Sequence, residues 1–177
     1  VKLVDINKDS VYDLLFIEAY DIYVVETTSV TTGLIKDAYS KPTLKLDPAN
    51  PDLRYTIIKN GEECKISDIQ ENNVLSVAKS QDGNYVKVIV SSKKIKEVIE
   101  EISDEAITVA GREFPIVKSN KSEFNKLKAG DKTTLYFTYD EWVAGCGNIA
   151  ITGENYAYIF AGNYETKGLS AGETAKL

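Results

Sequence analysis

Histidine is absent from this chain of 177 residues. That excludes Ser-His-Asp and Cys-His catalysis, His-ligated zinc and the commonest general base near neutral pH. Carboxylate chemistry survives the cut. Methionine is absent too, and the chain opens on Val1 and closes on the alternating Glu173 to Leu177, so it reads as a segment of a longer protein. Cysteine is scarce. Cys64 and Cys146 fall in different repeat units, too few for a structural zinc site, and are expected to be unpaired thiols. Positive charge is short: 21 Lys and Arg face 27 Asp and Glu, a net charge of -6. No basic stripe interleaves with aromatics, so no nucleic-acid partner is expected. No apolar run has the length of a bilayer span and no signal peptide is visible, so no membrane insertion is expected.

What is present is a recurring hairpin pattern. One copy runs from Ser67-Asp68-Ile69-Gln70 through Val74 to Ser80, turns at Asp82-Gly83, and returns along Tyr85 to Val90. A second runs from Ala129-Gly130-Asp131 through Lys132 to Tyr139, turns at Asp140-Glu141, and returns from Trp142. A third begins at Ala171-Gly172-Glu173, where the chain stops. Repetition of one small unit predicts a string of modules. Short alternating runs rich in β-branched and aromatic residues, parted by turn residues, predict an all-β fold. Asn60-Gly61 is the strongest hairpin turn. Helical turns are expected near Ser67 to Gln70 and Asn120 to Lys126. The expected architecture is tandem small β-barrel or sandwich modules over 1–92 and 93–152. Residues 153–177 either pack on the second module or begin a third.

Lys93 to Ile102 is ambiguous. Ile95, Val98, Ile99 and Ile102 have helical spacing, and Glu and Lys favour helix. The flanking segments read as strand, so a strand is expected here also. Val90 runs to Ile95 through two serines and two lysines with no Gly or Pro, which predicts a stiff joint between modules.

Three stretches bear a family likeness: Tyr20 to Glu26, Asp68 to Ala78, and Glu101 to Gly111. Together they resemble the tandem β modules of bacterial surface-layer-type proteins, which often accompany copper-amine-oxidase N-terminal-like domains. The resemblance spans about 5–165. It implies a cell-surface, extracellular location, a non-enzymatic structural role, and neighbouring domains of a longer surface protein as partners. Lys96-Glu97 departs from the small or Gly residues usual in that family.

Three groups of residues invite chemistry. Asp5, Asn7, Asp9 and Asp13, with the Val11 carbonyl, have the spacing of an oxygen-ligand loop for Ca²⁺, the one cofactor the chain suggests. Phe16 stands where a bidentate Glu is usual, and Ser10 where Gly is usual. A metal-free Asx-rich turn is the plain alternative. Tyr136, Tyr139 and Trp142, with Tyr156 and Tyr158, form an aromatic-rich stretch that can stack on sugar or pack across strands. Asp82, Asp104, Glu105, Asp140 and Glu141 can supply a glycosidase pair, but all sit in expected turns, and Glu97 to Glu105 reads as a solvated acidic face. The expected function is a non-catalytic spacer of a cell-surface protein. The alternative is a carbohydrate-binding module recognising cell-wall or extracellular polysaccharide.

Overall fold

Alternation of β-branched and polar residues carries directly into strands. The computed structural model describes residues 2–16, 19–148, 161–164 and 173–176. A first antiparallel pair joins β1 (Lys2–Val4) and β2 (Leu14–Phe16). Then follow β3 (Asp21–Ser29), β4 (Leu34–Asp37), β5 (Leu44–Lys45), β6 (Arg54–Lys59), β7 (Glu62–Glu63), β8 (Val74–Lys79) and β9 (Tyr85–Ser91). These seven form one sheet in the order β5-β4-β3-β8-β9-β6-β7. After two residues come β10 (Lys94–Ile102), β11 (Ala106–Val109), β12 (Arg112–Pro115), β13 (Lys132–Phe137) and β14 (Val143–Cys146). They form a second sheet in the order β12-β11-β10-β13-β14. The remaining described residues, β15 (Ala161–Tyr164) and β16 (Glu173–Lys176), pair with each other. Tyr156 and Tyr158 lie outside the described residues. 3₁₀ helices cover the three residues Ile66–Asp68 and the seven residues Lys118–Phe124, close to the two expected helical turns.

The two large sheets share a plan. Each opens on a nine-residue strand, β3 or β10, broken by a bulge. The first half of each long strand pairs with the later hairpin, β8–β9 or β13–β14. The second half pairs with the next strand in sequence, β4 or β11. The seven-stranded sheet adds β6 and β7 beyond β9, and β6 pairs with β9 in parallel. Neither sheet closes into a barrel. In the second, a lone parallel bridge between Ile116 and Val143 brings the end of β12 beside β14 and curls the sheet.

The bulge resolves the ambiguity at Lys93 to Ile102. Along a strand, Ile95 and Ile99 share one face. The bulge between Ile99 and Glu101 inserts a residue and reverses the alternation, so Ile102 returns to that same face. All three pack into one core with Ile107, Phe114, Leu135 and Phe137. A bent strand thus reproduces the spacing of a helix. Val98, which completes the helical stripe, is 40% exposed.

The first sheet buries its own core, including Tyr23, Val25, Ile35, Leu46, Ile57, Leu75 and Val88. Gly33 closes the turn before β4 at φ +65°. A Cβ there would stand 2.0 Å from the Leu46 carbonyl oxygen, so backbone itself blocks any side chain. Left-handed geometry alone costs an alanine roughly 1–2 kcal/mol. Gly33→Ala is therefore expected to destabilise the chain by at least about 2 kcal/mol, read from the midpoint of urea unfolding followed by circular dichroism.

Candidate functional site at the junction of the two sheets

Several strands carry adjacent apolar residues where alternation would put a polar one. Val24-Val25 lies on β3, Val74-Leu75 on β8, and Val143-Ala144 on β14, while Ile116-Val117 follows β12. One member of each pair enters its own sheet's core: Val25, Leu75, Val143 or Ile116. The other points to the opposite face. There Val24, Val74, Val117 and Ala144 meet in a separate cluster, with Ile22, Tyr39 and Tyr136 packed against it. The junction is thus an apolar seam contributed by both sheets. Burying each valine stabilises it by roughly 1.5 kcal/mol or more. Ile95, just past the joint, takes no part in this seam and packs into the second sheet's own core.

A polar clasp lies over the seam. Asp37, only 5% exposed, ends β4. Its carboxylate accepts the backbone N–H of Val24 at 2.7 Å, Tyr39 at 2.9 Å and Lys41 at 3.3 Å. Those bonds fold residues 37–41 against β3 and direct two side chains at the second sheet. Tyr39 Oη accepts the backbone N–H of Cys146 at 2.9 Å. Gly145 permits that approach, since a Cβ there would stand 2.6 Å from Tyr39 Oη and 3.0 Å from a Val24 methyl. Lys41 Nζ donates to the Ile22 carbonyl, to Asn120 Oδ1 at 2.7 Å and to Ser119 Oγ at 3.1 Å. Asn120, 1% exposed, in turn donates from Nδ2 to the Ala144 carbonyl at 2.7 Å. Burial pushes the Tyr39 phenol well above its usual range and pulls the Lys41 ammonium below its own. Both groups have therefore left water to make these contacts.

Open recesses flank the seam. One of about 670 Å³ is lined by Tyr39, Glu71, Glu123, Lys126 and Tyr136 among others. A second of about 620 Å³ adds Lys94, Lys96 and Thr134 around the same Tyr136.

The residues singled out from sequence are scattered relative to this junction. Tyr136 is half-buried against the seam. Tyr139, 40% exposed, stands edge-on to Tyr20 with ring centroids 5.9 Å apart. Trp142, 38% exposed, lines a different recess. The three rings do not form one platform. In the loop of residues 5–13 the carboxylates are engaged by backbone. Asp5 accepts the N–H groups of Lys8 and Ser10, Asp9 that of Val11, and Asp13 that of Ile6. Lys8 and Ser10 take left-handed backbone, as in an Asx-rich turn. Among the described residues no three acidic or thiol groups converge as a metal cluster, so the calcium reading rests on spacing alone. Cys64 and Cys146 are both free.

Two of the turn carboxylates, Glu141 and Asp82, are shifted away from the range of a general acid. The Lys93 ammonium and, behind it, the Arg112 guanidinium hold Glu141 below the usual carboxylate range. Asp82 is held low by the Ser80 hydroxyl and the Asn84 backbone. A general acid needs the opposite shift. Tyr39, Lys41 and Asn120 were not evident from sequence as a site, since Tyr39-Ser40-Lys41-Pro42 reads as a plain turn. The adjacent apolar pairs were the visible signal, because only a strand covered on both faces keeps them. No protein-family model, curated protein or solved structure matches this chain.

Two measurements check this site. A Tyr39 phenol raised by folding contributes stability below pH 10, lost as pH climbs and the unfolded chain ionises first. Between pH 10 and 12 the stability of the parent is expected to fall more steeply than that of Tyr39→Phe. Calcium is tested by melting temperature. The hydrogen-bonded loop by itself predicts no change at millimolar calcium, whereas a rise that disappears in Asp9→Ala would establish the ion.

Proposed function

We propose that the chain is a stiff, non-catalytic spacer within a bacterial cell-surface protein of the surface-layer type. On this reading its two tandem β modules, 1–92 and 93–152, hold neighbouring domains apart outside the cell. The observation that carries the proposal is the junction. A spacer must transmit position, and a joint does so when it has no slack and cannot rotate. The link between β9 and β10 is two residues long. Across it the sheets share the buried seam of Val24, Val74, Val117 and Ala144, closed by hydrogen bonds from Tyr39 and Lys41. Free rotation would expose the valines and strand the buried Asn120 amide, whose loss of partners costs about 1–3 kcal/mol. The loop of residues 5–13 is the candidate calcium staple of such a spacer. A second reading, carbohydrate binding, is favoured by one observation: Trp142 is exposed at the mouth of a recess.

Small-angle scattering tests the spacer directly. The parent is expected to give one narrow distribution of distances between the two sheets. Inserting a Gly-Ser segment after Ser92, combined with Lys41→Ala and Asn120→Ala, is expected to broaden it while strand content holds. A broad distribution in the unmodified chain would refute a stiff joint.

A further inference from the structure

We propose that the recess beside Trp142 binds the ring of an N-acetylated aminosugar. The inference rests on the carbohydrate-binding reading and narrows it to a place and a ligand class. Trp142 begins the return from the turn between β13 and β14, and it is the chain's only tryptophan. It is 38% exposed, and it lines a recess of about 400 Å³, within the roughly 300–1,000 Å³ of small-molecule sites.

The lining matches one chemistry. The indole offers a flat apolar face on which the C–H face of a pyranose can stack, the usual role of an aromatic with one side wet. Pro115 adds an apolar wall, backed by Ile116 from the second sheet's core. That wall suits the methyl of an acetamido group, where a plain hexose carries a hydroxyl instead. Asp104 and Glu105 supply acceptors for the acetamido N–H and ring hydroxyls, and Lys118 and Lys121 supply donors for its carbonyl. The two carboxylates and two lysines balance, so the recess has no net formal charge to favour a phosphorylated or acidic sugar. Asp104 and Lys121 form an ion pair at 3.0 Å with Asp104 88% exposed. An exposed pair of this kind holds its partners weakly, so a ligand can exchange with it at little cost.

The recess is also preformed. The Ile116 N–H donates to the Glu105 carbonyl at 2.8 Å, and the Val117 N–H to the Val143 carbonyl at 2.9 Å. The Trp142 backbone N–H donates to Thr138 Oγ1 at 2.9 Å. Three segments are thereby pinned around the cavity before any ligand arrives, which lowers the ordering cost of binding. The site lies apart from the Tyr136 recesses, with which it shares no lining residue.

Because the chain has a single tryptophan, its fluorescence reports this site alone. Titrating the whole chain with a β-1,4-linked N-acetylglucosamine hexamer is expected to move the emission to shorter wavelength and to saturate. Cellohexaose is expected to bind at least ~10-fold more weakly, since it lacks the acetamido group. By calorimetry, Trp142→Ala is expected to weaken the hexamer at least ~10-fold with an unchanged circular dichroism spectrum. Asp104→Ala, at an exposed position, is expected to weaken it with the emission shift retained at saturation. Equal or tighter binding of cellohexaose would keep sugar binding and overturn the aminosugar assignment. No saturable change with either oligosaccharide would overturn both. Undiminished binding by Trp142→Ala would move the site elsewhere.

Discussion

Val24 has protein on both sides. Its neighbours Tyr23 and Val25 face the core of the first sheet, and Val24 itself faces the second sheet. That one strand carries the constraint on which the rest depends. β3 must pair with β8 and β4, cover a core, and still present a dry valine to a partner sheet. Everything at the junction follows from leaving no water beside it. Gly145 has no side chain because Tyr39 and Val24 occupy the space. Asp37 is buried because it alone can gather the N–H groups of Val24, Tyr39 and Lys41 into one turn.

The polar groups divide between two environments. At the junction, Tyr39, Lys41 and Asn120 have given up water, and each is repaid by specific partners across the seam. A missing partner there leaves a buried polar atom unsatisfied, which makes the clasp selective for one relative orientation. At the turns, Glu141, Asp82 and Asp47 remain in solvent and are stabilised as anions by nearby cations, hydroxyls or backbone N–H groups. Those interactions shape loops and add little to stability. Charge thus stays outside, and directional hydrogen bonds are buried where the two sheets meet.

The strands were largely legible because alternation survives wherever one face of a sheet is wet. Arg54 to Lys59, the Asn60-Gly61 turn and Lys132 to Phe137 fall where the pattern puts them. The pattern failed to decide at Ile95, Ile99 and Ile102 for a physical reason. A bulge changes which face a residue takes, and sequence carries no mark of the inserted residue. The junction was half legible. Its doubled apolar residues stand out once a covered second face is considered. Its polar clasp does not, because Lys41 and Asn120 are brought together by tertiary packing alone and each looks like an ordinary surface residue in its own segment. The aromatic stretch was legible as rings but not as a surface. Tyr136 looks toward the seam, while Trp142, past the turn, lines a separate recess.

The unequal connectivity of the two sheets has a consequence for how the chain reaches this structure. The second sheet is antiparallel within itself apart from one bridge, and its longest-range strand pairing, β10 with β13, joins residues as far apart as Lys94 and Tyr136. The first sheet must join β3 to β8, with partners as distant as Asp21 and Val77, and must also lay β6 parallel to β9. Contacts distant along the chain must close long loops before they are rewarded, so such pairings form late. A ribosome delivers the N-terminal portion first. The half of the molecule that emerges earlier is therefore the slower to fold. Its seam valines wait uncovered until Val117 and Ala144 have been synthesised, and the junction is the last surface to leave water.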